Sequence, residues 1–236
     1  KFYETLIHSY SKEVLLESYI EGKHVSVDSL IDDEGKPLIL GIGEKKHSDK
    51  EKKIIIQVNY PALIDKSSLL NLKNTHNQVI KALNITRGIS HAEYIIDKKG
   101  RPFLIEIASR GGGVLTSCTI LKIISKIDTV DYLYREALGL KTKIKKIKMN
   151  DNFLVSLKFL KFKPGKVKNI SINQSFFNKK EVEKFKIFIK KNSKILDPKN
   201  GSERHGFVIL KAKNYKALKV LENNMYKSIR ISYEKK

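Results

Sequence analysis

The chain has 236 residues, of which 41% are hydrophobic and 31% are charged, a composition typical of water-soluble proteins with a substantial core. It contains neither an apolar run as long as a membrane span nor a signal-peptide pattern, so we expect a cytoplasmic protein without membrane contacts. Its net charge of +22 comes mainly from dispersed lysines, which favours solvated lysine faces over a nucleic-acid-binding protein, the less favoured alternative.

Two single residues give further information on the kind of protein. The only cysteine, Cys118, excludes an internal disulfide and lies in an apolar run with helical spacing. We predict a buried structural thiol in a reducing compartment rather than a nucleophile. The sequence starts with Lys1 rather than methionine, so we expect a fragment or a processed chain.

The first part of the chain is rich in strand patterns. Apolar and alternating residues predict a mostly buried strand over 14–20, a half-buried strand over 24–32, and further strands over 37–43 and 54–58. The charged segment 45–53 between the last two is predicted to be a mobile loop.

An amphipathic helix is predicted over 67–83, where apolar residues recur at helical spacing. Ser67 or Ser68 is the expected N-terminal cap, because a hydroxyl oxygen can accept a hydrogen bond from the first turn. His76 lies inside this helix and is expected to have a structural role rather than to bind a metal.

Two apolar runs, 91–96 and 102–108, flank the turn sequence at 97–100 and predict a β-hairpin. Each run contains one acid in an apolar setting, Glu93 in the first and Glu106 in the second. If the loop consists of two residues, the two carboxylates face each other across the ladder, where like charges destabilise a sheet. A positive species is then expected between them, and a divalent cation with oxygen ligands is the natural candidate.

The loop length leaves an alternative open. A three-residue loop from Lys98 to Gly100, with a bulge, would send Glu93 and Glu106 to opposite faces of the hairpin. The two acids would then be solvated residues of an edge hairpin. Spacing within the sequence does not decide between the two registers.

The hairpin is followed by residues suited to an anion. Strand alternation places Glu106, Ala108 and Arg110 on one face. The glycines at 111–113 leave backbone N–H groups free to approach an anion, and predicted helices follow over 114–124 and 129–138.

These residues resemble the metal- and phosphate-binding hairpin of the ATP-grasp ligases, especially the carboxylate–amine ligases related to biotin carboxylase and the L-amino acid ligases. The family pattern is an H-x-E strand, a turn with glycine, and I-E-x-x-x-R followed by glycines. The resemblance implies metal binding by Glu93 and Glu106, catalysis by Arg110, and substrate binding by His91, Gly111, Gly112 and Gly113. Ala108 stands where many members have a metal-binding asparagine, so a second metal ion stays open.

The run from Val14 to Gly22 is similar to the nucleotide hinge of the same family, whose backbone reads the adenine edge. The cofactors implied are ATP and Mg²⁺, with Mn²⁺ as a substitute. The resemblance implies that His24 lies nearest the ribose of ATP. An equal alternative is that His24 is a surface histidine at the start of a strand. The ATP-binding residues implied are Glu17, Ser18, Tyr19, Ile20, His24 and Lys45.

The resemblance implies an α+β fold in which an ATP-grasp C-terminal lobe, an antiparallel sheet packed with helices, occupies residues 1–142. A smaller α+β subdomain is expected over 143–236, with strands near 153–162, 166–172, 195–197, 205–212 and 228–233 and helices over 179–192 and 214–226. Residues 204–206 resemble the R-x-G turn of this subdomain, although Arg204 and His205 are expected in an isolated surface turn.

The activity implied is ATP-dependent ligation of a small-molecule carboxylate to an amine, or to a thiol, through an acyl phosphate. In the family, ATP and Mg²⁺ are bound between this lobe and an N-terminal lobe that this sequence lacks. We therefore expect no ligase activity from this chain alone and ligase activity from a longer parent. A non-catalytic nucleotide-binding relic and a homodimer stay open as alternatives.

Overall fold

The computed structural model describes residues 10–32, 34–48, 54–140, 147 and 152–234. It contains an antiparallel eight-stranded sheet, whose strands are β1 Gly22–Ile31, β2 Pro37–His47, β3 Ile55–Tyr60, β4 Gly88–Asp97, β5 Pro102–Ala108, β6 Leu154–Phe159, β8 Val182–Ile187 and β10 Gly206–Ala212. Their order across the sheet is β5-β4-β1-β2-β3-β6-β10-β8.

A second, three-stranded sheet has the order β11-β7-β9. Its strands are β7 Gly165–Ile172, β9 Lys194–Ile195 and β11 Ile229–Tyr233. The helices are α1 Lys66–Ala82, a π-helical turn Thr116–Ile120, α2 Leu121–Ser125, α3 Thr129–Ala137, α4 Gln174–Phe177, a 3₁₀ turn Gly201–Glu203 and α5 Tyr215–Lys227. This is the expected α+β architecture. Within the described ranges no helix is long and apolar enough to cross a bilayer.

Buried side chains form clusters on both faces of the large sheet. On one face, the π-helical turn, α2 and α3 cover a cluster that includes Tyr60, Leu121 and Leu157. We call this the front face, and strand alternation also places Ser26 and Glu93 on it. On the back face, α1 packs over β1, β2 and β4, and α5 packs over β6 and β10.

The large sheet continues from the first part of the chain into the last part. Strands β3 and β6, which are separated by almost a hundred residues, pair from Gln57–Lys158 to Tyr60–Val155. Gln57 also donates from its amide nitrogen to Ser156 Oγ at 2.9 Å and to Glu222 Oε1 at 2.6 Å. One hydrogen-bonded layer thus joins the residues on either side of position 142.

The strand expected over 14–20 is wrong. This segment has no regular structure, and the side chains of Leu15 and Leu16 are 79% and 85% exposed. Strand β1 begins only at Gly22 and is already paired on its two sides with β2 and β4. Both positions beside β1 are therefore already occupied by other strands. The apolar composition of residues 14–20 alone was not sufficient to make them a strand.

Two expectations about helices also need correction. Helix α1 is capped by Asp65, whose carboxylate accepts a hydrogen bond from the Ser68 backbone N–H at 2.9 Å, and not by Ser67 or Ser68. The helix predicted over 179–192 is wrong, because Val182–Ile187 form β8, which pairs with β10. There the tertiary pairing outweighs the helix-favouring lysines and glutamate of the segment.

The segment after the glycines differs from the continuous helix that was predicted over 114–124. Val114 and Leu115 have left-handed φ angles of 48° and 62°, and the π-helical turn begins only at Thr116. Cys118 lies on this turn and is exposed, so the prediction of a buried thiol is wrong. The turn buries Thr116 and Ile120 instead, which leaves the cysteine side chain outside the core.

Candidate active site

The hairpin of β4 and β5 brings the two acids opposite each other. Glu93 pairs with Glu106, and His91 pairs with Ala108. Closer to the turn, Tyr94 pairs with Leu104, so the register shifts at a bulge that leaves Ile105 out of the pairing. The expected facing of the acids is observed, but not for the expected reason: the turn has the longer-loop register, and the bulge restores the acid pair.

The positive group beside Glu93 is a protein side chain. Lys45 Nζ forms an ion pair with Glu93 Oε1, and the lysine side chain is only 5% exposed. The prediction that Lys45 lies in a mobile loop is wrong, because β2 continues to His47 and pairs Lys45 with Val58 of β3. Residues 49–53 of the predicted loop lie outside the described residues.

His91 adds a second partner for the acid and a link to a buried carboxylate. Its Nε2 atom is 3.6 Å from Glu93 Oε1, and its Nδ1 atom is 2.7 Å from Asp28 Oδ1. Burial lowers the pKa of His91, but the hydrogen bond to Asp28 and the contact with Glu93 outweigh it and raise that pKa to about 9. His91 is therefore an imidazolium at neutral pH, held between two carboxylates.

The same contacts act on Glu93. Burial raises the pKa of this carboxyl, whereas the contacts with His91 and Lys45 and the positive charges of both side chains lower it to about 2. Glu93 is therefore ionised across the physiological range. Its negative charge is partnered by Lys45 and His91 in this structure, which meets the electrostatic need that the facing acids create.

A cleft of about 180 Å³ opens beside these charges on the front face. One part of its wall is polar and the other is apolar. The polar residues are Ser26, Lys45, Tyr60, His91, Glu93, Thr116 and Arg204, and the others are Ile55, Val58, Gly113, Val114, Leu157 and Phe159. A lining that combines cationic side chains with apolar ones suits a small molecule that has an anionic group.

Arg204 reaches this cleft from the last part of the chain. Its guanidinium lies 3.7 Å from the centroid of the Phe159 ring, and Nη2 donates to the Ile55 carbonyl at 3.1 Å. The expected isolated surface turn is wrong for both residues, because His205 is buried and its two ring nitrogens contact Phe162 N and Leu196 O at 2.9 Å. Burial lowers the pKa of Arg204, which stays cationic because the reference value is so high.

The glycine loop packs tightly on the charged cluster. A Cβ atom at Gly112 would lie 2.8 Å from His91 Nδ1, closer than real Cβ atoms approach, and 3.1 Å from Asp28 Oδ1, which is tighter than most such contacts. Gly113 lines the cleft. Arg110 is exposed, and its Nη1 donates to the Gly111 carbonyl at 3.0 Å, so its guanidinium is available to a ligand in front of the loop.

The predicted site residues fall into two groups. Lys45, His91, Glu93 and Gly113 line one cleft, and Glu106 joins them by strand pairing. The hinge residues Glu17, Ser18 and Tyr19 are exposed and Ile20 is half-buried, in the irregular segment before β1. His24 packs edge-on against His47 at a ring distance of 4.7 Å, two positions before Ser26 and on the same face.

Sequence reasoning missed Asp28 and Tyr60, and it assigned Arg204 to a surface turn rather than to the cleft. Asp28 is completely buried, and Tyr60 OH donates to its Oδ2 atom at 3.4 Å. The available signal was an acid inside the otherwise apolar and small run of 25–31. Buried carboxylates are retained only where they have hydrogen-bonding partners, so this position already indicated a site.

The acids can be compared with what Mg²⁺ requires. This ion is usually held by one or two protein carboxylates together with substrate phosphates. Glu93 and Glu106, opposed across the hairpin, fit that pattern. Within the described ranges no group of three His, Cys, Asp or Glu residues could hold a metal, and Ala108 offers no side-chain oxygen, so further ligands would come from the nucleotide.

This chain is similar to known proteins in sequence and in fold. Residues 2–118 match the family model described as ATP-grasp domain. The L-amino acid ligase from Bacillus licheniformis is similar with a TM-score of 0.80 and 22% identity, over 92% of this chain and 55% of that one. Phosphoribosylglycinamide synthetase from Anaerococcus prevotii is similar with a TM-score of 0.77 and 15% identity, over 99% and 59%.

Biotin carboxylase from Campylobacter jejuni, solved as a β-γ-ATP complex, gives a TM-score of 0.67 with 18% identity over 92% of this chain and 48% of that one. At such identities these structures show a shared fold. The chain spans about half the length of each. No curated protein matches it in sequence at a significant level.

Proposed function

The chain carries an ATP-grasp domain over residues 2–118, and from this premise we propose that it is part of an ATP-dependent ligase. The reaction joins a carboxylate to an amine, or to a thiol, through an acyl phosphate. The observation that carries the proposal is the pairing of Glu93 with Glu106 beside Lys45, His91 and the glycine loop. Acids that can share a metal ion, adjoining cations and a glycine loop together suit a nucleoside triphosphate.

In this proposal Glu93 and Glu106 hold Mg²⁺ together with the phosphates of ATP, and the ion neutralises phosphate charge. Lys45 and His91 lie at the Glu93 end of the cleft and add fixed positive charge where the phosphoryl group is bound. Both side chains are largely withdrawn from water, which strengthens their interaction with an anion.

Arg110 and Arg204 have different tasks. Arg110 stands exposed at the start of the glycine loop and meets the negative charge that develops on the acyl phosphate. Arg204 is fixed on Phe159 inside the cleft and binds the substrate carboxylate. Phosphoryl transfer and amine attack then depend on positioning and electrostatic stabilisation, so no side-chain nucleophile is required.

Calorimetric titration with ATP–Mg²⁺ tests the binding step. We expect saturable binding that weakens by about tenfold or more in Glu93→Gln and Glu106→Gln, because each substitution removes one metal-binding charge. Glu183→Gln, which changes an acid on β8 that pairs with Lys211, serves as the matched control and should bind like the wild type. Equal binding by all four proteins would refute the metal role of the acids.

Because this chain spans only about half the length of the structures it matches, the chemistry is tested both on the chain itself and on a longer form of the protein. An acyl-hydroxamate screen across carboxylic and amino acids should give product and release phosphate only with ATP. We expect this chain alone to give none, and turnover by it at millimolar substrate would contradict that expectation.

Ala108, at a position where related ligases place a metal-binding asparagine, supports a second candidate, a nucleotide-binding relic without ligase chemistry. ATP-dependent phosphate release by the longer protein would exclude the relic.

A further inference from the structure

Asp28 occupies an unusual place for a carboxylate. It lies in the middle of β1, its side chain is completely buried, and its direct neighbour on β4 is His91. Its Oδ1 atom is 2.7 Å from His91 Nδ1, and its Oδ2 atom accepts a hydrogen bond from Tyr60 OH at 3.4 Å. Both oxygens are therefore engaged, and nothing in the proposed reaction requires Asp28 to touch a ligand.

The glycine loop closes over this pair. A Cβ atom at Gly112 would approach both His91 Nδ1 and Asp28 Oδ1 within about 3 Å, so only a glycine permits the loop to pack there. Nδ1 is thus enclosed between Asp28 and the loop. The other ring nitrogen, Nε2, is directed to Glu93 at 3.6 Å and to the cleft.

We propose that Asp28 is a positioning residue: its buried carboxylate accepts a hydrogen bond from His91 Nδ1–H and fixes the ring with Nε2 towards Glu93 and the cleft. A carboxylate behind a functional histidine keeps a proton on the ring nitrogen that faces it and fixes how the ring is oriented. Gly112 is the complementary feature, because the loop must approach the pair closely for the arrangement to hold. This inference rests on the proposed function, in which His91 contacts the bound anion.

Nuclear magnetic resonance of the complete chain tests the hydrogen bond directly. The ring N–H signal of His91 is assigned by its disappearance in His91→Gln. In the wild type we expect this proton on Nδ1, with a signal that is shifted downfield and exchanges slowly with water. In Asp28→Asn this proton should shift upfield and exchange faster, because a neutral amide is a weaker acceptor than a carboxylate. Asp131→Asn, an exposed acid on α3, is the matched control and should leave the signal unchanged.

A double-mutant cycle on ATP–Mg²⁺ affinity tests whether Asp28 acts through His91. Asp28→Asn should weaken binding by about tenfold in the wild type and should have no further effect in the His91→Gln background. Additive losses would mean that Asp28 acts independently of the ring, and they would overturn the proposal. A thermal melt of each variant excludes general unfolding as the cause.

The outcomes separate this inference from the function on which it rests. A wild-type His91 ring that carries its proton only on Nε2 would overturn the positioning role, whatever the affinity for ATP. A wild-type chain that shows the Nδ1–H signal but does not bind ATP–Mg²⁺ would refute the proposed nucleotide site, while the hydrogen bond to Asp28 would stand. Gly112→Ala, which leaves Asp28 and His91 in place, should also shift the signal because its methyl displaces the ring.

Discussion

Protonation of His76 should destabilise the protein as the pH falls below neutrality. His76 lies on α1, is completely buried, and contacts Ser29 Oγ through Nε2 at 3.0 Å and Tyr94 OH through Nδ1 at 2.9 Å. Neither neighbour carries a charge, so nothing compensates an imidazolium there. Burial accordingly lowers the pKa of His76 from 6.5 to about 4.

The sign and size of the effect follow from proton binding. Between pH 6.5 and 4 the unfolded chain binds a proton at His76 that the folded chain does not, so stability falls as the pH falls. A difference of about 2.5 pKa units corresponds to roughly 3 kcal/mol of unfolding free energy, fully lost only below pH 4. Above pH 6.5 His76 is mostly neutral in both the folded and the unfolded chain, so it adds little pH dependence to the unfolding free energy.

Urea unfolding at intervals from pH 7 to pH 4 measures the effect. His76→Gln should start from a lower stability at pH 7, because the amide does not reproduce both ring contacts, but it should lose about 3 kcal/mol less than the wild type on acidification. Leu72→Val, in the core beneath the same helix, is the control: it should lower stability by the same amount at every pH. Parallel curves for the wild type and His76→Gln would refute the reasoning.

Three further substitutions probe other parts of the molecule by urea unfolding at pH 7. Lys45→Met removes the cation that contacts Glu93 and should lower the unfolding free energy by about 2 kcal/mol. This is less than for a fully buried ion pair, because the Glu93 side chain is 22% exposed. An unchanged unfolding free energy would mean that the pair contributes nothing to stability. Gly100→Ala should lower the unfolding free energy by about 1–2 kcal/mol, because the φ of +74° disfavours alanine and the new Cβ would lie 2.7 Å from Ser68 Oγ. Gly113→Ala is the control and should have little effect, because a Cβ there would meet open space. Gln57→Leu should cost about 1–3 kcal/mol by leaving Ser156 and Glu222 without their shared amide partner, and an unchanged midpoint would exclude a stabilising role for this network.

The sequence contained enough information for the hairpin and its acids. The I-E strand, the turn glycine and the glycine run each have a local physical cause, so Glu93, Glu106 and Gly112 could be located without coordinates. The register was harder to predict, because the bulge at Ile105 lies within β5 and not in the turn that the sequence pattern identifies. Spacing alone could not distinguish a short loop from a longer loop with a compensating bulge.

Residues that reach the site through tertiary contacts could not be assigned to it from the sequence in the same way. Lys45 is one of many lysines, and only the continuation of β2 to His47 shows that it is buried against Glu93. Arg204 reaches the cleft because the sheet places the last part of the chain beside β3, a contact that no local pattern encodes. Asp28 could have been recognised as a buried acid, but its partner His91 becomes its neighbour only through the pairing of β1 with β4.

Because β3 pairs with β6, we expect the two portions of the chain to stay together when the covalent connection through positions 141–151 is cut. Four residue pairs and the Gln57 side chain bind the two portions along this seam. A protease nick introduced there should leave both pieces co-migrating through gel filtration and separating only in denaturant. Split at the same place and produced as two polypeptides, they should reassemble on mixing, with Arg204 on one piece completing the cleft of the other.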